Sequence, residues 1–226
     1  MSGIVMIGAT GGCGATTLAC AVALGRAQAG EAVLVVDLDA HGGGPSALWG
    51  IPATRALDDL HDLGDSLGPD HLGHLVHRHP AGIDVMAGAR TPAALIHWSA
   101  APADAFATHV TTRSSWVADA GRGDTVLAAA LTARADLVVV VAPRTVHGTA
   151  RAVAVLREGQ WRRAACVASH LPAGERVSDR TLSRAIGLDV IASVPCDDRA
   201  ASRVAAAQPA RGRGLARAVA AIGAIT

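Results

Sequence analysis

Apolar residues along this chain fall into short unbroken runs, each followed by a longer stretch of helical character. Gly3–Ile7 is one such run, ending at Gly8. Ala15–Gln28 is alanine-rich and helix-prone, and it stops near Gly30. A second apolar run, within Glu31–Leu38, ends in Asp37-Leu38-Asp39. Continuous rather than alternating runs are what strands covered on both faces require. The same pattern predicts strands at Ile83–Met86, Trp116–Asp119, Leu137–Ala142, Ala165–Ser169 and Val190–Val194. It predicts helices at about 103–112, 123–134, 146–158, 178–186, 198–207 and 214–224. This alternation predicts an α/β fold with a doubly wound, mostly parallel sheet. No internal repeat or interdomain linker is visible, so residues 1–226 read as one domain. The Gly-, Pro- and His-rich region 41–82 is the least regular.

The chain contains no lysine, and all 20 of its Lys+Arg residues are arginine. Residues 1–112 carry 4 Arg against 10 Asp+Glu, and residues 113–226 carry 16 Arg against 9. The arginine-rich half has two readings: solvated helix faces, or a basic surface for DNA, anionic lipid or an acidic partner. Cys13, Cys20, Cys166 and Cys196 show no paired spacing and read as reduced thiols of a cytoplasmic protein. Cys13 precedes a helix start, which would lower a thiol pKa; the alternative is a small residue filling a loop. No apolar run reaches the roughly 20 residues of a membrane-spanning helix.

Between the first strand and first helix lies Gly8-Ala9-Thr10-Gly11-Gly12-Cys13-Gly14-Ala15-Thr16-Thr17. Five small residues, Gly11–Ala15, permit close backbone approach, and the helix behind them aims its first N–H groups at an anion. This is phosphate-loop character with alanine, Ala15, where the pattern GxxxxGK[ST] has lysine. Thr16 stands where such loops offer a hydroxyl to Mg²⁺. A glycine-rich turn with no ligand remains the alternative. Asp37 and Asp39 end the second strand, where parallel sheets present side chains to a ligand crevice. Asp119 ends another apolar strand, the place of a Walker-B carboxylate. Carboxylates so placed hold Mg²⁺ or orient a water, or else cap a loop.

Together these segments resemble the ParA/MinD family of ATPases. Thr10–Thr17 is similar to their deviant Walker motif KGGxGK[ST]. Asp37–Ile51 resembles their DxDxxxG…LGI segment, and Asp119-Ala120-Gly121-Arg122 lies at their switch II. Ala135–Pro143 resembles their AD-strand-P segment, and Val194-Pro195-Cys196-Asp197 their late VPxD segment near the adenine. The loop form looks most like the CpaE/TadZ branch, whose actinobacterial members are called septum site-determining proteins.

The resemblance implies a P-loop fold that binds ATP and Mg²⁺ and dimerises face to face across the nucleotide. It implies nucleotide contacts from Gly11, Gly12, Cys13, Gly14, Ala15, Thr16, Thr17, Pro195 and Asp197. It implies magnesium ligation by Thr16, Asp37 and Asp119, and water positioning by Asp39. Both family lysines are replaced, by Thr10 and Ala15, so hydrolysis is expected to be slow or absent. Arg122, with Arg144 behind it, is the substitute cation by sequence. Ser169 falls where the family often has an asparagine for the base. The implied role is spatial regulation of septum or Tad pilus and secretion machinery. It would be cytoplasmic and recruited to the inner membrane face, a pole or the septum, with no N-terminal receiver-like domain. Alternatives are a scaffold without nucleotide, a ParA-like DNA partitioning protein, and a dethiobiotin-synthetase-type ligase, which should keep the Walker lysine. His71, His74 and His77, at i, i+3 spacing, read as a solvated helix face or a zinc site. The last helix reads as packed, or as a basic amphipathic tail for membranes.

Overall fold

A computed structural model describes residues 2–61, 63, 66–159, 161–170 and 176–226. The strands are β1 (Ser2–Gly8), β2 (Val33–Asp37), β3 (Val76–His79), β4 (Ile83–Met86), β5 (Ser115–Asp119), β6 (Leu137–Pro143), β7 (Ala164–Ser169) and β8 (Val190–Val194). They form one sheet in the order β3-β4-β2-β5-β1-β6-β7-β8. Every pairing is parallel except β3 with β4, which is antiparallel. The apolar runs are central strands. Every residue of β2, β5 and β6 is buried, because helices cover both faces.

Alternate residues of each strand feed opposite layers. Ile4 and Met6 of β1 face a core built on helix α1 (Ala15–Gln28), α10 (Asp198–Ala205) and α11 (Leu215–Gly223). Val5 and Ile7 face the other layer, with α6 (Ala100–Val110) and α7 (Val126–Thr132). Helices α8 (Val146–Glu158) and α9 (Asp179–Ile186) cover β6 and β7 through Ala152 and Leu182. Hydroxyls start several of them. Thr125, Thr145 and Ser178 accept from Ala128, Gly148 and Thr181 N–H. The last helix, α11, is packed: Leu215, Ala218 and Ile222 are buried against the α1 layer. No described helix is long and apolar enough to cross a membrane.

The irregular region contains structure that the hydrophobic pattern hides. Among the described residues it holds three short helices, α2 (Pro45–Leu48), α3 (Asp58–His61) and α4 (Pro69–Leu75), as well as β3, and a fourth, α5 (Pro92–Ile96), follows β4. The helical histidine row is corrected here. His71 and His74 lie on α4, but the chain turns to strand at Val76 and carries His77 onto β3. His77 is buried, and its Nε2 pairs with the Arg55 carbonyl at 2.9 Å. His79 stacks on Trp49 at a centroid distance of 5.4 Å. Among the described residues, no three His, Cys, Asp or Glu side chains converge as a metal site.

Gly3 and Trp116 are register partners on β1 and β5. A methyl group on Gly3 would overlap the buried Trp116 indole. Gly3→Ala is therefore expected to cost about 2–3 kcal/mol, an overpacking penalty, read as a lower urea midpoint at unchanged slope.

Candidate nucleotide-binding site

The site is assembled at the carboxyl ends of the central strands, where chain order reverses across the sheet. Its floor is the loop from β1 to α1. Gly8 N–H donates to the Gly121 carbonyl at 2.7 Å, and Ala9 N–H donates to the Val141 carbonyl at 2.9 Å. These bonds tie the loop to the ends of β5 and β6. Gly12 and Gly14 have φ of 71° and 89°, the left-handed region that suits glycine. Gly14 is the N-cap of α1 and supplies no side-chain cap, so the helix opens uncapped toward the loop.

A cavity of about 470 Å³ lies on this loop. Gly11, Gly12, Cys13, Gly14, Ala15, Thr16, Thr17, Asp39 and Arg122 all line it, with Thr10, His41, Gly42, Gly43 and Gly121. A second cavity, of about 230 Å³, shares Gly12, Cys13, Gly14 and Thr17. It runs on to Ser169, His170, Pro195, Cys196 and Asp197 at the ends of β7 and β8. The two cavities adjoin along these four loop residues. Asp197 also has a structural task, since its Oδ1 accepts from Arg199 and Ala200 N–H and caps α10.

Asp37 and Asp119 are register partners at the ends of β2 and β5. Asp119 is fully buried. Its Oδ1 accepts from Gly121 N–H at 3.2 Å, and the Thr16 side chain lies beside the carboxylate. Its Oδ2 is buried with no partner among the described residues. Burial foremost, with the charges of Asp37 and Asp39, pushes its pKa up to about 7. Burial also raises the pKa of Asp37, but there both oxygens are engaged. Oδ1 accepts from Asp39 N–H at 3.2 Å and Oδ2 from Ser46 N–H at 3.0 Å. Asp37 thus anchors the loop that carries Asp39. Asp39 abuts Gly121 and accepts from His41 N–H at 3.0 Å.

Arg122 is the one arginine on the wall of the larger cavity among the described residues, and its guanidinium faces Gly11. Arg144 does not reach this cavity. Its Nε donates to the Val177 carbonyl at 2.8 Å and pairs with Asp179 at 3.2 Å. Of the two readings of Cys13, the structure fits the small loop residue: the thiol is buried, and desolvation raises its pKa above the usual value despite the adjacent helix start.

The donor set fits magnesium. Thr16 and Asp119 offer hard oxygens, and one carboxylate oxygen is orphaned in the interior. Mg²⁺ needs only one or two carboxylates beside waters and phosphate oxygens. A site without a three-carboxylate cluster therefore suits it.

No family model and no curated protein matches the chain. Solved structures do. A ParA family ATPase from Chlorobium tepidum TLS superposes with a TM-score of 0.76 at 17% identity, covering 99% of this chain and 92% of that one. The septum site-determining protein MinD complexed with Mg-ADP, from Pyrococcus horikoshii OT3, gives 0.75 at 14%, covering 99% and 95%. A MinC:MinD cell division protein complex from Aquifex aeolicus gives 0.77 at 14%, covering 99% and 96%. This chain has the ParA/MinD fold. In that fold its glycine loop, uncapped helix and buried Asp119 fall together, although so few residues are shared.

Three wall or support residues were invisible to motif reading. His41 and His170 line the cavities, and Ser46 holds Asp37 from nine positions away. The sequence signal for Ser46 is the Gly-Pro that starts α2, which turns its N–H back toward β2.

Proposed function

We propose that this protein is a spatial regulator of the ParA/MinD type, in the CpaE/TadZ-like branch, switched by ATP and Mg²⁺ bound at its lysine-free loop. The observation that carries this reading is the orphaned Oδ2 of fully buried Asp119 beside the Thr16 hydroxyl and the uncapped start of α1. A buried carboxylate oxygen with no partner is costly, and a site that regularly receives a cation gives it one. Thr16 and Asp119 would hold Mg²⁺, while Asp37, which the resemblance made a third ligand, would stand behind them with both oxygens taken by the Asp39 and Ser46 amides. The ion would neutralise phosphate charge that lysines otherwise meet. Gly11–Thr17 would bind the phosphates through N–H groups, and Pro195 and Asp197 would flank the base. Asp39 would orient the attacking water.

Hydrolysis would be slow or absent. Transition-state charge on the phosphoryl group needs placed cations, and among the described lining residues Arg122 is the one arginine. Binding can survive their loss because backbone N–H groups and the helix dipole still favour an anion. The nucleotide would then act by joining two copies across this face and recruiting a partner of the septum or of the Tad pilus and secretion apparatus. A scaffold without nucleotide is the second reading, favoured by Thr10 and Ala15 in both lysine positions.

Calorimetric titration of the purified chain with ATP separates them. One saturable site per chain, weakened at least about tenfold when Mg²⁺ is withheld, is expected. A folded sample with no saturation at millimolar ATP would leave the scaffold.

A further inference from the structure

The helical layer on one face of the sheet is divided. Val138 and Val140 lie two positions apart on β6 and so face the same way. Yet Val138 belongs to the buried cluster built on α6 and α7, and Val140 to the one built on α8 and α9. A third cavity, of about 320 Å³, lies between α7 and the end of α8. It reaches down to Ile7 of β1, and the small side chains of Ala129 and Ala133 on α7 leave it unfilled. Val155 and Trp161 line it, and both are partly buried and packed against both clusters. Helical layers otherwise pack tightly, and a gap of this volume is within the range of small-molecule sites.

The polar side chains on its walls narrow the ligand. The Thr132 hydroxyl is engaged by the Ala128 and Ala129 carbonyls. Arg122 and Glu158 carry opposite charges and line the same cleft, and neither makes an ion pair among the described residues. A guanidinium suits a carboxylate, and a carboxylate with an indole on the same wall suits an ammonium. An acid alone would meet Glu158 unfavourably, and an amine alone would meet Arg122. A molecule carrying both charges on an apolar body satisfies the whole wall. We infer that this cleft binds a free amino acid with an apolar side chain, its carboxylate on Arg122 and its ammonium on Glu158.

Arg122 also lines the cavity over the phosphate loop. A guanidinium drawn to a carboxylate in the cleft is withdrawn from a phosphate on the loop. In this one respect the inference rests on the nucleotide reading above: amino acid and nucleotide then oppose each other, each weakening the other by the same factor.

Calorimetric titration of the unmodified chain with L-leucine, L-phenylalanine and L-tryptophan tests the site. At least one should saturate a single site per chain, with a Kd of about 0.1–1 mM for so small a ligand. No saturation by any of the three at about 20 mM, in folded protein, overturns the inference. The N-acetyl derivative lacks the ammonium and the amide derivative lacks the carboxylate, so each should bind at least about tenfold more weakly than the parent amino acid. Equal binding of either overturns the two-charge assignment. Glu158→Gln, at an exposed position, should remove the preference over the N-acetyl derivative. An unchanged preference removes Glu158 as the partner of the ammonium. A saturating amino acid should raise the Kd for Mg-ATP about threefold to tenfold. An unchanged Kd overturns the opposition and leaves the cleft site standing. A chain that binds the amino acid but no nucleotide overturns the nucleotide reading alone.

Discussion

Asp119→Asn is expected to make the nucleotide-free protein more stable and, in the same molecule, to weaken magnesium-dependent nucleotide binding. The carboxylate is fully buried, one oxygen has no partner among the described residues, and Asp37 and Asp39 add like charge. Asparagine keeps an oxygen for Gly121 N–H and removes the charge. The linkage fixes the sign. With a folded pKa of about 7 against an ordinary 3.8, the unfolded chain releases this proton first. Stability from this group therefore falls as pH rises from about 4 to about 7, and is level above that. A displacement of this size corresponds to roughly 4 kcal/mol at neutral pH, an upper value for what asparagine recovers. Asp37, raised by burial in the same direction, adds to the slope. Urea denaturation at pH 5 and pH 8 without magnesium should show the wild type losing stability between them. The variant should lose less and be the more stable at pH 8. Titration with Mg-ATP should then show affinity weakened by at least about tenfold. A less stable variant would mean that the Gly121 bond and the Thr16 neighbour favour the carboxylate by more than desolvation costs it. Unchanged nucleotide affinity would remove Asp119 from the metal site.

Ala15→Lys is expected to restore what the loop lacks. Ala15 is the first residue of α1 and lines the larger cavity, so a long side chain there has space in front of it. Its ammonium would enter a chamber bordered by Asp39 and backed by buried Asp37 and Asp119, with only Arg122 for positive charge among the described lining residues. Binding of Mg-ATP should tighten by about tenfold. Turnover should gain more, about 10²-fold to 10³-fold, because charge placed where it develops in the transition state acts most strongly there. Phosphate release under saturating ATP measures the second effect. Ala15→Gln has comparable reach and no charge, and should produce neither gain. Equal behaviour of the two variants would show that the missing lysine is not what limits this site.

The parts of the fold legible beforehand share a physical cause. β1, β2, β5 and β6 are buried on both faces, and such strands must be unbroken apolar runs. The loop was legible because Gly12 and Gly14 take left-handed backbone that few other residues tolerate. The acidic strand ends were legible because Asp37, Asp39 and Asp119 interrupt apolar runs abruptly. β3 was not, since a short strand reading Val76-His77-Arg78-His79 owes its pairing to β4 and its buried histidine to the Arg55 carbonyl. The short helices of the same region are too brief for a 3.6-residue period to declare itself.

The sequence by itself determined the layered α/β architecture, the glycine loop, the absence of lysine and the identity of the acidic residues. These rest on local chemistry, on runs of burial and on backbone preferences that each residue carries with it. Tertiary structure alone decided what the charged and polar side chains face. It gave both oxygens of Asp37 to the Ser46 and Asp39 amides and left one oxygen of Asp119 bare. It kept Arg122 at the loop and turned Arg144 to His170 and Asp179. Such outcomes depend on which distant strand ends meet, because desolvation and hydrogen bonding act through space and leave no period in the chain.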